Sequence, residues 1–233
     1  MTPGRLDGQV ALVTGASRGI GQAIALELAE AGADLVVCST RAHGCEPTVR
    51  EVMARKRRAI GVTADVASAA DCDRLVRSAL EVFGRVDCLV NNAGTVRRAK
   101  VQDTSDDDYD RVLAVNLNAP FYLARRVLPG MLERRRGRIV NVSSISSRVG
   151  TPKQVSYGAS KWGLNGLTQG LAAELRGTGV TVTAVLPGGV DTDMLKGSGF
   201  PPVMTARQVA SVVRYLLAEA PEAMTGSLVE VFG

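Results

Sequence analysis

Residues 10–25 read VALVTGASRGIGQAIA. Five apolar or β-branched residues run into Gly15, two more glycines follow at 19 and 21, and a helix-forming Ala/Ile/Leu stretch then begins. A strand, a glycine-rich turn and a helix in that order form the context in which a G-x-x-x-G-x-G loop cradles phosphates. Gly15 permits the tight turn, Gly19 lets the backbone approach a pyrophosphate, and Gly21 lets helix and strand pack closely. The amino end of the helix then faces the phosphates, where its free N–H groups and dipole favour an anion.

The pattern that begins there continues along the whole chain. Short apolar runs recur at 10–15, 34–39, 59–66, 88–94, 138–144, 180–188 and 227–233. Helical stretches such as IGQAIALELAEAG and LNGLTQGLAAELRG lie between them and end in glycine, as helix C-termini often do. Continuously apolar strands alternating with helices imply a parallel sheet covered on both faces. The expectation is α/β: a Rossmann-type doubly wound sheet of about seven strands and about six helices, one domain over residues 1–233. No linker, repeat or low-complexity tract interrupts it.

Composition narrows the function. A chain of 233 residues, 45% hydrophobic and 22% charged, can bury a large core and reads as soluble and globular. No apolar run approaches the length of a membrane span. The first residues lack a basic segment followed by an apolar one, so a cytoplasmic protein without a secretory signal is expected. Aromatics at 4% supply little for base stacking, which disfavours nucleic acid as a partner. Cys38, Cys45, Cys72 and Cys88 have no metal-ligand spacing, and one histidine, His43, in a polar loop excludes a multi-histidine zinc site, so no metal is expected. His43 reads as exposed and idle. The basic clusters RRAK (97–100) and ERRRGR (133–138) read as solvated faces, with docking of an anionic partner as the alternative. Asp106 to Asp108 look acidic enough for a metal, but they suit the positive end of a helix capped by Thr104 or Ser105.

The end of the second apolar run reports on the ribose of a dinucleotide. A site for NAD places an acid there; this chain has Ser39 and Thr40, with Arg41 just beyond and Arg18 inside the glycine loop. Two guanidinium groups and no carboxylate suit a 2′-phosphate, so NADP(H) is favoured over NAD(H).

YGASK, residues 157–161, puts a phenol and an ammonium four residues apart, on one face of a helix if it is helical. The spacing alone does not separate surface decoration from chemistry. A second helical pattern, YDRVLAVNLNAPFYLARRVL, contains Pro120, whose missing N–H frees the carbonyl of Asn116, either as a plain kink or as a place to hold a water.

Taken in order, TGASRGIG at 14–21, DV at 65–66, NNAG at 91–94, Asn116, Ser144, Tyr157, Lys161 and PGGVDT at 187–192 resemble the short-chain dehydrogenase/reductase family. The resemblance runs from about Asp7 to Gly233 and implies an enzyme that interconverts C=O and CH–OH groups. It implies that Gly15, Ser17, Arg18, Gly19, Ile20 and Gly21 hold the cofactor phosphates and that Asp65 and Val66 meet the adenine. Asn91 lies near the adenine-side ribose, while Ala93 and Gly94 keep the strand end open. Pro187, Gly188, Val190 and Thr192 belong to the nicotinamide end. Tyr157 is the implied acid, Lys161 lowers its pKa and binds the nicotinamide ribose, Ser144 holds the substrate oxygen, and Asn116 anchors a proton-relay water. Ser143 reads as strand-end packing.

The best-matched subgroup is 3-oxoacyl-[acyl-carrier-protein] reductase-like, which implies a small carbonyl or alcohol substrate carried on acyl carrier protein, with Arg134 to Arg136 as a docking patch. Reductases of sugars, steroids or other small carbonyl compounds share the same motifs, and a non-catalytic NADP-binding regulator is a further alternative. The segment between Thr192 and a last helix beginning near Val209 is short for the subgroup and predicts a relatively open site. A homotetramer or homodimer through the helices bearing Asn116 and Tyr157 is the family expectation.

Overall fold

The computed structural model describes residues 6–232. Residues 1–5 and Gly233, the ends of the expected 1–233 domain, lie outside them. Seven strands form one sheet: β1 (Val10–Thr14), β2 (Asp34–Ser39), β3 (Ala59–Thr63), β4 (Cys88–Asn91), β5 (Gly137–Val142), β6 (Val180–Pro187) and β7 (Leu228–Val231). All neighbouring pairs are parallel, in the order β3-β2-β1-β4-β5-β6-β7. The doubly wound parallel sheet is therefore present as read. The third apolar run is cut short, because after Thr63 the chain turns off the sheet and Ala67 N–H bonds the Asp65 carboxylate at 3.1 Å.

Helices α1 (Gly19–Glu30), α2 (Glu46–Ala54), α3 (Ala69–Phe83), α4 (Asp106–Leu113), α5 (Ala119–Glu133), α6 (Val155–Glu174) and α7 (Ala206–Ala218) fill the connections. A π-helical segment, Ala114–Asn118, joins α4 to α5 without a break. Pro120 lies just past this segment, and Ala119 N–H reaches back to the carbonyl of Ala114, five residues away. The proline thus marks a local widening of one long helix.

Strand alternation distributes the core between two faces. Ala11 and Val13 point toward α1 and α7, packing with Ile24, Leu28, Val209 and Val213. Val10 and Leu12 point the other way, toward Leu75 and Ala79 of α3 and Leu123 and Val127 of α5. Leu12, Leu35, Leu89 and Ile139 are at most 1% exposed, each contributing about 1.5–3 kcal/mol by burial. At the amino ends of the strands, buried Asp87 accepts the Val10 N–H at 2.9 Å and the Arg85 guanidinium at 2.6 and 2.9 Å. That carboxylate ties β1 to β4 at the end opposite the site.

Local chemistry sets the helix ends. Ser68 accepts the Asp71 N–H to start α3, and left-handed Gly84 ends it. Ser105, not Thr104, caps α4, with Asp106, Asp107 and Asp108 in its first turn, so the acidic run complements a helix dipole. Thr205 and Gln208 form a reciprocal capping box on α7, which begins three residues earlier than the sequence suggested. Just before it, Val190 and Met204 pair in an isolated bridge, closing the lid segment 191–203 at its base.

Candidate active site

Strands β1 and β4 are neighbours, but the helices that follow them cover opposite faces of the sheet. At such a reversal the carboxyl ends of the strands open into a crevice, the usual ligand site of open α/β sheets. A cavity of about 1220 Å³ occupies it. Every sequence-predicted site residue lines this cavity except Asn91 and Asn116.

The phosphate end is built around the first turn. Gly15 has φ +64°, and a Cβ there would stand 2.8 Å from Ala93 Cα. At Gly21 a Cβ would stand 2.3 Å from the Gly15 carbonyl oxygen and 2.4 Å from Asn92 Nδ2. Asn92 explains that closeness, since its Nδ2 donates to the carbonyls of Thr14 (2.9 Å) and Gly15 (3.1 Å). Thr14 Oγ1 in turn accepts the N–H groups of Asn92 and Ala93, both at 3.0 Å. These bonds hold the ends of β1 and β4 against each other and leave the amino end of α1 facing the crevice. A nucleotide pyrophosphate fits that bare backbone at Gly19, where a Cβ would project toward Thr192 on the facing wall, 3.4 Å from its Cγ2.

The ribose end lacks a carboxylate at the tip of β2. Ser39 Oγ bonds the Arg41 carbonyl at 3.2 Å, and the exposed Arg41 side chain has no ion pair among the described residues. Arg18 reaches across the crevice to Asp193 in the lid (3.3 Å), which also pairs with Lys196. Asp65 pairs with Arg111 at 2.7 Å, and that guanidinium holds its carboxyl below the usual carboxylate range. His43 is exposed, as read, but bonded to Glu46 at 2.6 Å.

At the other end, β5 delivers Ser144 and the first turns of α6 deliver Tyr157 and Lys161. Tyr157 and Lys161 are buried, with Lys161 Nζ 5.8 Å from the phenol ring centre. The ammonium donates to the Val142 carbonyl at 2.8 Å, and burial brings its pKa down from 10.5 to about 8. The expectation that Lys161 lowers the phenol's pKa does not hold in this structure. Burial pushes Tyr157 above its ordinary value, opposed by a hydrogen bond with Ser144 and by the positive charge of Arg98. Lys161 is not among the groups that oppose this rise; its ammonium is turned to the Val142 carbonyl, 5.8 Å from the phenol ring centre. Ser143, also buried, bonds the Lys161 carbonyl (3.3 Å), which braces α6 against β5.

Asn116 lies beneath this floor, fully buried. Its Nδ2 donates to the Thr95 carbonyl (2.9 Å) and Ser160 Oγ (3.0 Å), and its Oδ1 accepts the Thr95 N–H (2.9 Å). Its side chain fastens the loop after β4 to α6. Asn91 donates to Asn141 (2.8 Å), which donates to Thr168 (2.9 Å), so its side chain braces strands inside the sheet. The sequence reading passed over Asn92, Arg98 and Arg111. Asn92 lay within a quoted motif, whereas Arg98 was read as part of a solvated basic face.

The second basic cluster lies elsewhere. Arg134 donates to the Val86 carbonyl (2.9 Å), Arg135 to that of Gly177 (3.1 Å), and Arg138 to those of Leu216 and Ala220. All sit at the amino ends of the strands, a strand's length from the crevice, roughly 20 Å for six residues. These arginines close off backbone carbonyls, and a carrier docked there would face away from the site.

Fold and crevice together define a nicotinamide-dependent oxidoreductase. The family model described as short chain dehydrogenase matches residues 9–199, and the chain belongs to the short-chain dehydrogenase/reductase family, oxidoreductases acting on CH–OH and C=O groups. The 3-oxoacyl-[acyl-carrier-protein] reductase of Synechocystis sp. is 38% identical over 98% of this chain and 97% of its own. That of Pseudomonas aeruginosa is also 38% identical, with the same coverage. Among solved structures, a metagenomic short-chain oxidoreductase in complex with NADP superposes with a TM-score of 0.88 at 35% identity, covering 98% of each chain. No helix among the described residues is long and apolar enough to cross a membrane.

Proposed function

We propose that this enzyme uses NADP(H) to reduce a ketone to a secondary alcohol, and that its substrate is a 3-oxoacyl thioester. The observation that carries the reading is the meeting of Ser144, Tyr157 and Lys161 on the floor of the cavity whose far end is the glycine turn. A bound nicotinamide supplies hydride to the carbonyl carbon. Tyr157 then gives its proton to the carbonyl oxygen, and Ser144 bonds that oxygen and the phenol together. Burial keeps the phenol protonated at neutral pH, which suits the reductive direction. Lys161, fixed by the Val142 carbonyl, is placed to hold the nicotinamide ribose, and Asn116 keeps the surrounding loop in register. At the other end, Arg18 and Arg41, with no acid at the tip of β2, favour the 2′-phosphate of NADP.

The thioester part of the reading draws on the named activities of the bacterial relatives. The lid agrees with a substrate delivered on a long arm. Met194, Phe200 and Val203 line the cavity yet remain 40–57% exposed, so the mouth is open to solvent. The test is NADPH oxidation with 3-oxoacyl thioesters beside sugars, steroids and small ketones, repeated with NADH. Turnover of thioesters, lost in Tyr157→Phe while NADPH still binds, is expected. Turnover of another class alone refutes the thioester assignment, and absence of any Tyr157-dependent turnover refutes the enzyme assignment.

A further inference from the structure

Tyr157 and Lys161 ride on a long helix, whereas Ser144 stands where β5 has ended and a single 3₁₀ turn, Ile145–Ser147, begins. Such a turn has poorer hydrogen-bond geometry than an α-helix and holds its shape less firmly by itself. This one orients the Ser144 hydroxyl directly. Ser144 Oγ accepts the Ser146 N–H at 3.1 Å, which leaves the hydroxyl proton free for a substrate oxygen. The turn is closed by Ser147, whose N–H (3.0 Å) and Oγ (2.5 Å) both donate to the Ser144 carbonyl. Ser147 and its partner Asn165 are buried, and neither lines the cavity.

A hydroxyl has one proton. Ser147 commits its own to the Ser144 carbonyl, so toward Asn165 it can only accept, and Asn165 Nδ2 donates to it at 2.8 Å. Asn165 follows Tyr157 and Lys161 at the same four-residue spacing, on one face of α6. The helix that carries the acid therefore also holds, through two hydrogen bonds in series, the peptide that carries the serine. Lys161 and Ser143 tie the same helix to β5 on the strand side of Ser144, through the Val142 and Lys161 carbonyls. The Asn165–Ser147 pair is the tie on the far side, so Ser144 is gripped from both directions. We infer that Ser147 and Asn165 are positioning residues for the reduction, setting where the Ser144 hydroxyl stands relative to Tyr157 while touching neither substrate nor cofactor. The inference rests on the role of Ser144 proposed above.

The test measures kcat with NADPH and the ketone of the panel above that wild type reduces fastest, counted per NADPH-binding site by fluorescence titration. The variants are Ser144→Ala, Ser147→Ala, Asn165→Ala and the double variant Ser144→Ala/Ser147→Ala, the slow ones read in single turnover. Ser144→Ala should lower kcat about 100-fold or more. Ser147→Ala and Asn165→Ala should each lower it about 5- to 20-fold, with NADPH affinity within about 2-fold of wild type. In the Ser144→Ala background, Ser147→Ala should lower kcat by less than about a further 2-fold, because no hydroxyl is left to position. A merely structural pair lowers stability but leaves each NADPH-binding site at wild-type kcat, and that result overturns the inference. So does an undiminished loss in the Ser144→Ala background, or a parallel loss of NADPH affinity. Should Ser147→Ala fail to fold, Asn165→Ala, alone and combined with Ser144→Ala, makes the same comparison. A Ser144→Ala enzyme that keeps wild-type kcat refutes the role of Ser144 itself, and the positioning with it.

Discussion

Replacing Lys161 with methionine separates what the buried ammonium does for chemistry from what it does to stability. In the folded chain its pKa falls from 10.5 to about 8, with burial as the cause. At about 1.4 kcal/mol per pH unit, keeping that lysine charged costs about 3 kcal/mol below pH 8. Methionine has nearly the same length and no charge. It forfeits the Nζ bond to Val142 O, and an unpaired carbonyl costs about 1–2 kcal/mol. At pH 7 the variant should therefore be more stable than wild type by about 1–2 kcal/mol while losing reductase activity. The pH dependence checks the cause. Below pH 8 both folded and unfolded lysine carry the proton and the cost is fully present. Between about 8 and 10.5 the unfolded chain binds more protons, so wild-type stability rises with pH relative to the variant. Urea melts of both proteins without nucleotide from pH 7 to 9.5 should show their difference shrinking by about 2 kcal/mol. Taking the difference cancels the buried cysteines, whose raised pKa values act in the opposite sense at alkaline pH. A pH-independent difference, or a variant clearly less stable at pH 7, would refute the argument.

Three further outcomes follow from the geometry. Arg41→Ala should raise the KM for NADPH about 10-fold and leave that for NADH nearly unchanged, a split that steady-state kinetics with both nucleotides reads directly. Gly21→Ala forces a methyl to within 2.3 Å of the Gly15 carbonyl oxygen; a destabilisation of about 1–3 kcal/mol together with lost NADPH binding is expected from calorimetry and fluorescence titration. Asp87→Ala leaves Arg85 and the Val10 N–H without their buried acceptor, and because Arg85 can turn to water denaturant melts should show a loss of about 1–3 kcal/mol, with KM values unmoved in the protein that remains folded.

The sheet was legible because burial on both faces writes strands as unbroken apolar runs, and DLVVCS maps onto β2 residue for residue. The glycine turn was legible for a related reason. Gly15 and Gly21 each face backbone that admits no Cβ, a demand that leaves a mark in sequence. Long-range polar pairing left no such mark. Nothing local in RRAK separates Arg97, which pairs with Asp108 on the surface, from Arg98, which turns inward to the lid ninety-six residues away. In the basic run at 133–138, Arg135 and Arg136 are exposed as a solvated face, whereas half-buried Arg134 and Arg138 reach carbonyls on other elements that nothing local announces. The phenol's upward shift was hidden too, because the i, i+4 spacing gives proximity to Lys161 but says nothing of how dry the pocket is.

The bridge between Val190 and Met204 gives the lid a fixed pair of anchor points. With its two feet already joined, extra residues inserted between them perturb neither β6 nor the capped start of α7. Doubling such a loop raises its closure entropy by only about 0.6 kcal/mol. Segment 191–203 is therefore the place where this scaffold can exchange one substrate pocket for another at little thermodynamic expense, and grafting a longer lid between these two residues is the natural route to a retargeted catalyst.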